Sequence, residues 1–506
     1  MLIGAVRRLG HDSLARNSLL IMATTVANGG FGYLYWMLAA RCVPASEIGT
    51  ATALISAATA VSMMANLGAG HMFIQRLPGS DPAGWSRIVS GGLIFAVAAT
   101  AAVATAAALV VPPVAGNFGF LAGAGGAAAL VCAAVAVTLT TLLDSVYVAH
   151  RAGHGMLVRN LTVALGKILV LFVILAVPRV AGLDWAEAVL VSWTLPALLV
   201  SALTVVVGPS RLLPGARLLP RFRSPAGIRS ELPHLWTALT GHHLINLAQA
   251  GPAALLPVLV TARLGPDANA HFYLAWMTAS MLFMVSPAVA SALYAERTNA
   301  GRTNAGRTNA GRTSAGRTSA GRAGIARASV VVVTVVGGPA AVLLVAGDAI
   351  LGLFSAGYAA EGGLLLKILV VAALPDAVTN LAVAHWRSQG RFRLCRRLNA
   401  VRAGACLLLT WMLLPSLGVT GAGVAWLAGQ ATSALVVGVL AIRGSGAHVL
   451  RPLVFRPRAG SGAYESASVR HRRHGTAADA VGEQWVVHVG NETDRREAGG
   501  KPGGFR

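Results

Sequence analysis

Runs of about 20 apolar residues recur along almost the whole chain, and no long charged stretch separates them before the C-terminal end. A helix of that length crosses a hydrocarbon core of ~30 Å. Only 12% of the 506 residues are charged and 55% are hydrophobic. A soluble chain of this size carries about 25% charged residues. The polar surface is too small to cover a globule, so lipid contact must replace it. One membrane domain is expected to take up most of the chain.

The apolar runs predict spans at 18–40, 48–74, 88–111, 118–143, 157–178 and 186–208, then at 235–262, 270–294, 328–350, 364–386, 399–415 and 420–442. The chain reads as a short N-terminus (1–16), six spans (17–208) and a basic stretch (209–233). A second set of six (234–443) contains a polar loop (296–327), and a polar tail (444–506) closes the chain. The first run follows Arg7, Arg8 and Arg16, is longer than the apolar core of a signal peptide and has no small-residue cleavage site, so it reads as an uncleaved span.

Arginine placement orients these spans. With the N-terminus inside, the inside connections hold Arg76, Arg87, Arg151, Arg159, Arg211 through Arg229, Arg297 through Arg327, and Arg387 through Arg402. The outside connections hold only Arg41, Arg179 and Arg263, and the acids fall mostly outside. Both termini are then cytoplasmic. The same placement excludes nucleic acid as the reason for a net charge of +23, because the charge is spread over loops facing an anionic leaflet. Anionic membrane lipids are the expected partners of those loops. Lysine is nearly absent (Lys167, Lys367, Lys501) beside abundant arginine, alanine and glycine, the bias of a GC-rich bacterial genome. That places the chain in a bacterial plasma membrane.

Residues 297–322 repeat an arginine every five residues. Five residues advance a helix by about 140° net, so these arginines define no face and the segment reads as an expanded loop. The tail is rich in Gly, Arg and Ser and reads as disordered. Four scattered cysteines form no CxxC, so neither a disulfide framework nor a metal site is expected, and no cofactor. No phosphate-binding loop, HExxH or GxSxG occurs, and the loops are too short for a catalytic domain. The chain does not read as an enzyme.

Ionisable groups inside a bilayer are costly, so each needs a reason. Lys167 lies ten residues into the fifth span, about 15 Å deep. Asp376 lies in the tenth span after Pro375, with Thr379 and Asn380 nearby as further oxygen donors. Two readings stay open. In one, Lys167 and Asp376 neutralise each other or local carbonyls. In the other, Lys167 binds an anionic substrate while Asp376, Thr379 and Asn380 hold a coupling ion or proton. Asp144 at the membrane edge reads as the partner of Arg151 or Arg159, in a structural ion pair or a gate. His242, Asn246 and Gln249 recur at one-face spacing in the seventh span, beside His243, and suggest a lumen wall. Asn28, Asn66 and His71 are candidates for the facing wall. Hydrogen bonding between helices is the plainer role for each.

Four stretches carry a family resemblance: RNSLLIMATTVANGGFGYLYWMLAARCVPASEIGTATAL at the start, LLDSVYVAHRAGHGMLVRNLTVALGK at 142–167, GDAILGLFSAGYAAEGGLLLKILVVAALP before and into the tenth span, and LGVTGAGVAWLAGQ at 417–430. In order and spacing the chain resembles the polysaccharide-export (O-antigen flippase-like) branch of the multidrug/oligosaccharidyl-lipid/polysaccharide (MOP) exporter superfamily. The arginine repeat departs from that pattern. The resemblance implies an all-α membrane protein of about twelve helices, in two six-helix lobes related by a pseudo-twofold axis. It implies alternating access and a polyprenyl-diphosphate-linked oligosaccharide flipped outward for surface polysaccharide synthesis, with a polymerase or glycosyltransferases as companions. Lys167, Arg16 and Arg159 are the cations expected to meet the diphosphate. The alternatives are an ion-coupled small-molecule exporter on the same fold, which for cationic drugs needs acids in the N-lobe cavity, and a non-transporting scaffold of a glycan-assembly complex.

Overall fold

The computed structural model describes residues 13–66, 68–176, 184–213, 233–234, 244–284, 334, 336–388 and 391–447. The first twelve residues, most of the basic stretch, the arginine repeat and the tail beyond Ala447 lie outside the described residues, as do Arg179, His242 and His243.

The described residues form helices joined by short turns. The first set comprises α1 (Ser13–Cys42), α2 (Ala45–Ala65), α3 (Ala69–Arg76), α4 (Pro82–Val114), α5 (Ala124–Ala149), α6 (Gly153–Ala176) and α7 (Trp185–Leu212). The second comprises α8 (Leu244–Leu264), α9 (266–284), α10 (Val336–Gly352), α11 (Ala356–Ser388), α12 (Phe392–Leu417) and α13 (Val419–Ala447). Nine of these helices are long and apolar enough to cross a membrane among the described residues. Bulky apolar side chains point outward on both sets. Leu109, Val206 and Val345 are 72%, 77% and 89% exposed, a surface suited to lipid and unsuited to water.

Local chemistry sets the boundaries. Pro82 opens α4 at the first turn, where its missing N–H costs nothing. The second predicted span, 48–74, is broken after Ala65. Asn66 Oδ1 accepts from the Gly68 N–H at 3.0 Å, and Gly68 sits at φ 73°, a left-handed conformation that glycine adopts without penalty. Gly265, at φ 92°, likewise reverses the chain between α8 and α9.

The two sets pack alike. In the first, α1 packs on α6, α6 on α7 and α5 on α7; in the second, α8 packs on α12, α12 on α13 and α11 on α13. Counting α2 and α3 as one span, each pair corresponds to its partner six spans later. The chain is therefore an all-α polytopic membrane fold with two pseudo-symmetric lobes.

The lobes meet through α2 against α8. Five side-chain hydrogen bonds join them towards one end. Arg41 Nε donates to Leu353 O at 2.7 Å, Tyr33 Oη to Ile350 O at 3.2 Å and Asn117 Nδ2 to Ala262 O at 3.2 Å. Asn269 Nδ2 reaches both Gly49 O and Thr52 Oγ1 at 3.0 Å. The ring pairs Tyr33–Phe354 and Trp36–Tyr273 close the same end. Gly49 is needed there, because a methyl group at that position would overlap the Pro266 carbonyl.

Candidate functional site

A cavity of about 300 Å³ lies within the first lobe, between α1, α2, α5, α6 and α7. Its polar lining comes from Asn28, Thr59, Thr140, Thr141 and Asn160, and among its described lining residues Lys167 is the only charged one. The Lys167 ammonium sits 3.8 Å from the centroid of the Trp193 ring. A ring face stabilises a cation there without neutralising its charge. The remaining walls include Phe31, Tyr35 and Trp36. The Tyr35 hydroxyl is fixed by Val189 O at 2.9 Å and Ser192 Oγ at 2.8 Å.

Behind this cavity a buried network ties three helices together. Asp144 Oδ1 on α5 accepts from Arg159 Nη2 at 2.7 Å and from Asn160 Nδ2 at 2.9 Å. Arg159 also donates to Thr140 O at 3.1 Å. Asn160 Oδ1 in turn accepts from Asn28 Nδ2 of α1 at 3.3 Å. Arg159 is 4% exposed, so its charge is compensated mainly by this carboxylate. Of the two partners expected for Asp144, the structure pairs it with Arg159, and the Arg151 alternative is corrected: Arg151 is an exposed turn residue at φ 53°. Arg159 is thus committed to a structural pair beside the cavity and is not among its lining residues.

The second lobe holds a comparable network. Asp376 Oδ1 lies 3.8 Å from Arg402 Nη1, and Asp376 Oδ2 accepts from Asn380 Nδ2 at 2.9 Å. Arg402 also donates to Gln430 Oε1 at 3.2 Å and to the Gln249 carbonyl of α8 at 3.4 Å. The Thr379 hydroxyl donates to Pro375 O at 3.0 Å, within its own helix. Mutual neutralisation of Lys167 and Asp376 is therefore overturned, since each meets a different partner. The three residues expected to hold a coupling ion share one helix face, but Arg402 already supplies a cation beside the carboxylate.

Of the polar wall expected on α8, His242 and the Asn246 side chain lie outside the described residues. A second cavity, about 330 Å³, lies between α2, α8 and α12, and every described residue lining it is apolar. Asn66 is used in the α2–α3 break, and His71 sits partly buried on α3, outside both cavities. Gln249 joins the Arg402 network through its carbonyl. The backbones of Arg16 and Asn246 belong to α1 and α8, while their side chains lie outside the described residues. Sequence reasoning missed Arg402, Gln430 and Trp193. Four arginines from Arg391 to Arg397 depress local hydropathy and delay the expected eleventh span to 399, and Arg402, just inside it, is grouped with those loop arginines.

The fold of two helical lobes is similar to that of solved transporters of the MATE/MOP type. The chain is similar to a multidrug-resistance MATE transporter of the MOP superfamily in an inward-facing conformation: 14% identity, 86% of this chain and 99% of the other covered, TM-score 0.58. It is also similar to the lipid II flippase MurJ in an inward closed conformation, with 8% identity, 84% and 87% coverage and TM-score 0.63. A third neighbour is a MOP-superfamily transporter from Pyrococcus furiosus, described as having a binding pocket of reversed polarity, with 14% identity, 86% and 96% coverage and TM-score 0.52. No family model and no curated protein matches the chain.

Proposed function

We propose that the chain is a transporter that moves a lipid-linked oligosaccharide or polysaccharide precursor, carried on a polyprenyl diphosphate, across a bacterial plasma membrane by alternating access. The observation that carries this reading is the first-lobe cavity, whose only charged described lining residue is Lys167. A diphosphate entering a low-dielectric space needs a cation, and an ammonium resting on Trp193 is free to exchange a ring face for phosphate oxygens. Asn28 and Thr140 add neutral donors for the same group or for sugar hydroxyls, and Thr141 an acceptor. The lipid II flippase among the similar folds supports a cargo of this chemical kind. On the arginine rule the latched end faces outward, so the lobes are closed on that side. Both termini are then cytoplasmic, and the glycan polymerase or glycosyltransferases are the natural companions.

Export of a small molecule is the second reading. Two observations favour it: the similar folds described as multidrug transporters, and the wholly apolar cavity between the lobes. A cationic drug fits poorly beside Lys167, so this reading calls for a neutral or anionic compound.

Leaflet-resolved transport in proteoliposomes separates the two. A fluorescent polyprenyl-diphosphate sugar is expected to change leaflet with the wild-type chain and not with Lys167→Ala, while both elute as folded protein. Export of small anionic dyes without any lipid movement would overturn the glycan reading.

A further inference from the structure

We propose that the space between α2, α8 and α12 binds an anionic membrane phospholipid, with an acyl chain in the apolar cavity and the headgroup on Arg393, Arg396 and Arg397. The proposal holds whether or not the chain moves a glycan.

The chemistry of the cavity comes first. Met63 and Met64 of α2, Gly251 and Pro252 of α8, and Ala400 and Ala403 of α12 help define a space of about 330 Å³ with no polar side chain among its described lining residues. Such a space does not hold water, because water there finds no hydrogen-bond partners. A peptide segment is equally unsuited, since its backbone groups would stay unsatisfied. A hydrocarbon chain needs neither. The small residues leave width for one chain, and two methionines adapt to its shape. The neighbouring surface is apolar and open: Met64, Val401 and Leu408 are 53%, 69% and 61% exposed, as suits contact with lipid. The cavity is thus continuous in character with the acyl phase around it.

The charge comes from the same face of α12. Arg393, Arg396, Ala400, Ala403 and Leu407 follow one another at spacings of three or four residues, which places them in one stripe. Arg397 lies beside that stripe. All three arginines are exposed at the start of the helix. From Arg396 to Leu407 the helix rises about 16 Å, so a headgroup at the membrane edge and a chain running inward lie along a single line. Zwitterionic lipid satisfies only the apolar half of this arrangement, whereas an anionic lipid satisfies both.

The slot is distinct from the first-lobe cavity. Thr59 lines that cavity and Ala60 lines the slot, so α2 is the wall between them. A lipid in the slot touches α2 of one lobe and α8 and α12 of the other, and therefore acts as a wedge between lobes.

The test is native mass spectrometry of the full chain in detergent, titrated with phosphatidylglycerol or with phosphatidylcholine of identical chains. The wild type is expected to retain phosphatidylglycerol over phosphatidylcholine by roughly ten-fold or more. Replacing Arg393, Arg396 and Arg397 together by Gln is expected to bring that ratio near one, and replacing them by Lys to keep it. Ala403→Phe fills the slot and should lower retention of both lipids; Ala400→Leu serves the same purpose if the first variant fails to elute as folded protein. Equal retention of the two lipids by the wild type, or an unchanged ratio in the Gln variant, overturns the proposal. Displacement by inorganic phosphate would reduce the site to an anion site without a chain, and displacement by equimolar polyprenyl phosphate would reassign it to the cargo. Either result sinks the resident-lipid assignment.

Discussion

The two lobes carry the same ion pair on corresponding helices. In the first, Asp144 of α5 meets Arg159 of α6 at 2.7 Å; in the second, Asp376 of α11 meets Arg402 of α12 at 3.8 Å. Each pair adds an asparagine, Asn160 or Asn380, that donates to the carboxylate. Each network also reaches the first helix of its lobe, through Asn28 in α1 and the Gln249 carbonyl in α8. Eight residues beyond the arginine the lobes part: the first has Lys167, the second Thr410. What the lobes share is scaffolding that holds the helices of each lobe together. What differs is the charge beside the cavity: among the described residues Lys167 lies there against a ring face, with no carboxylate paired to it.

The strongest way to break this comparison is to remove the difference. Lys167→Ala is expected to reduce transport of a diphosphate-linked cargo by about ten- to a hundred-fold, the loss of one charged contact. Thr410→Ala at the corresponding place should leave transport unchanged. Flux in proteoliposomes checks both, and equal effects would mean that the lobes are not specialised in this way.

Next in size is the shared scaffolding. Both partners of the Asp376–Arg402 pair are 7% exposed, so Asp376→Leu leaves a guanidinium buried without its counter-charge. Removing one partner of a buried pair costs about 3–5 kcal/mol, while replacing both is often neutral. Asp376→Leu should therefore lower stability in detergent unfolding by about 3 kcal/mol, and Asp376→Leu with Arg402→Met should recover most of it. Asp144→Leu is expected to cost less, because the Asp144 side chain is 24% exposed and water can reach the arginine it leaves. Equal losses in the two lobes would show that exposure does not set the difference.

Stability also separates the ties to the first helices. Asn28 connects α1 through a side chain, and Asn28→Leu removes one hydrogen bond worth about 1 kcal/mol. The α8 tie ends on a backbone carbonyl, which no substitution at Gln249 deletes. Chemical unfolding of Asn28→Leu against wild type measures the first of these.

The helical lobes were legible in the sequence because each span announces itself by length and hydropathy. Lys167 was legible by its depth alone. The pairings were not, and the reason is geometric. Antiparallel helices bring together residues equidistant from the turn between them. Asp144 lies five residues before Ala149 and Arg159 six after Gly153; Asp376 lies twelve before Ser388 and Arg402 ten after Phe392. Locating the turn to within a residue or two is what pattern reading does least well. Arg402 groups with the loop arginines although it lies inside the expected span 399–415, and Arg151 and Arg159 stay open as partners of Asp144 until the structure shows the pair with Arg159.

The smallest expected effect tests the junction that fixes the first lobe's geometry. Between α5 and α6, His150 Nε2 accepts from Trp85 Nε1 of α4 at 2.6 Å, so this contact requires the neutral imidazole. Burial holds the His150 pKa below its ordinary 6.5. The folded chain then binds this proton less readily than the unfolded chain. The stabilising contribution is complete above about pH 6.5 and is lost as pH falls below that value. His150→Gln keeps an acceptor and removes the titration. Its unfolding temperature should therefore fall less than that of the wild type between neutral pH and about pH 5.5. Because His150 is a turn residue with partial access to water, the difference is small, and parallel pH profiles would remove the histidine from the set of residues that hold α4 against this junction.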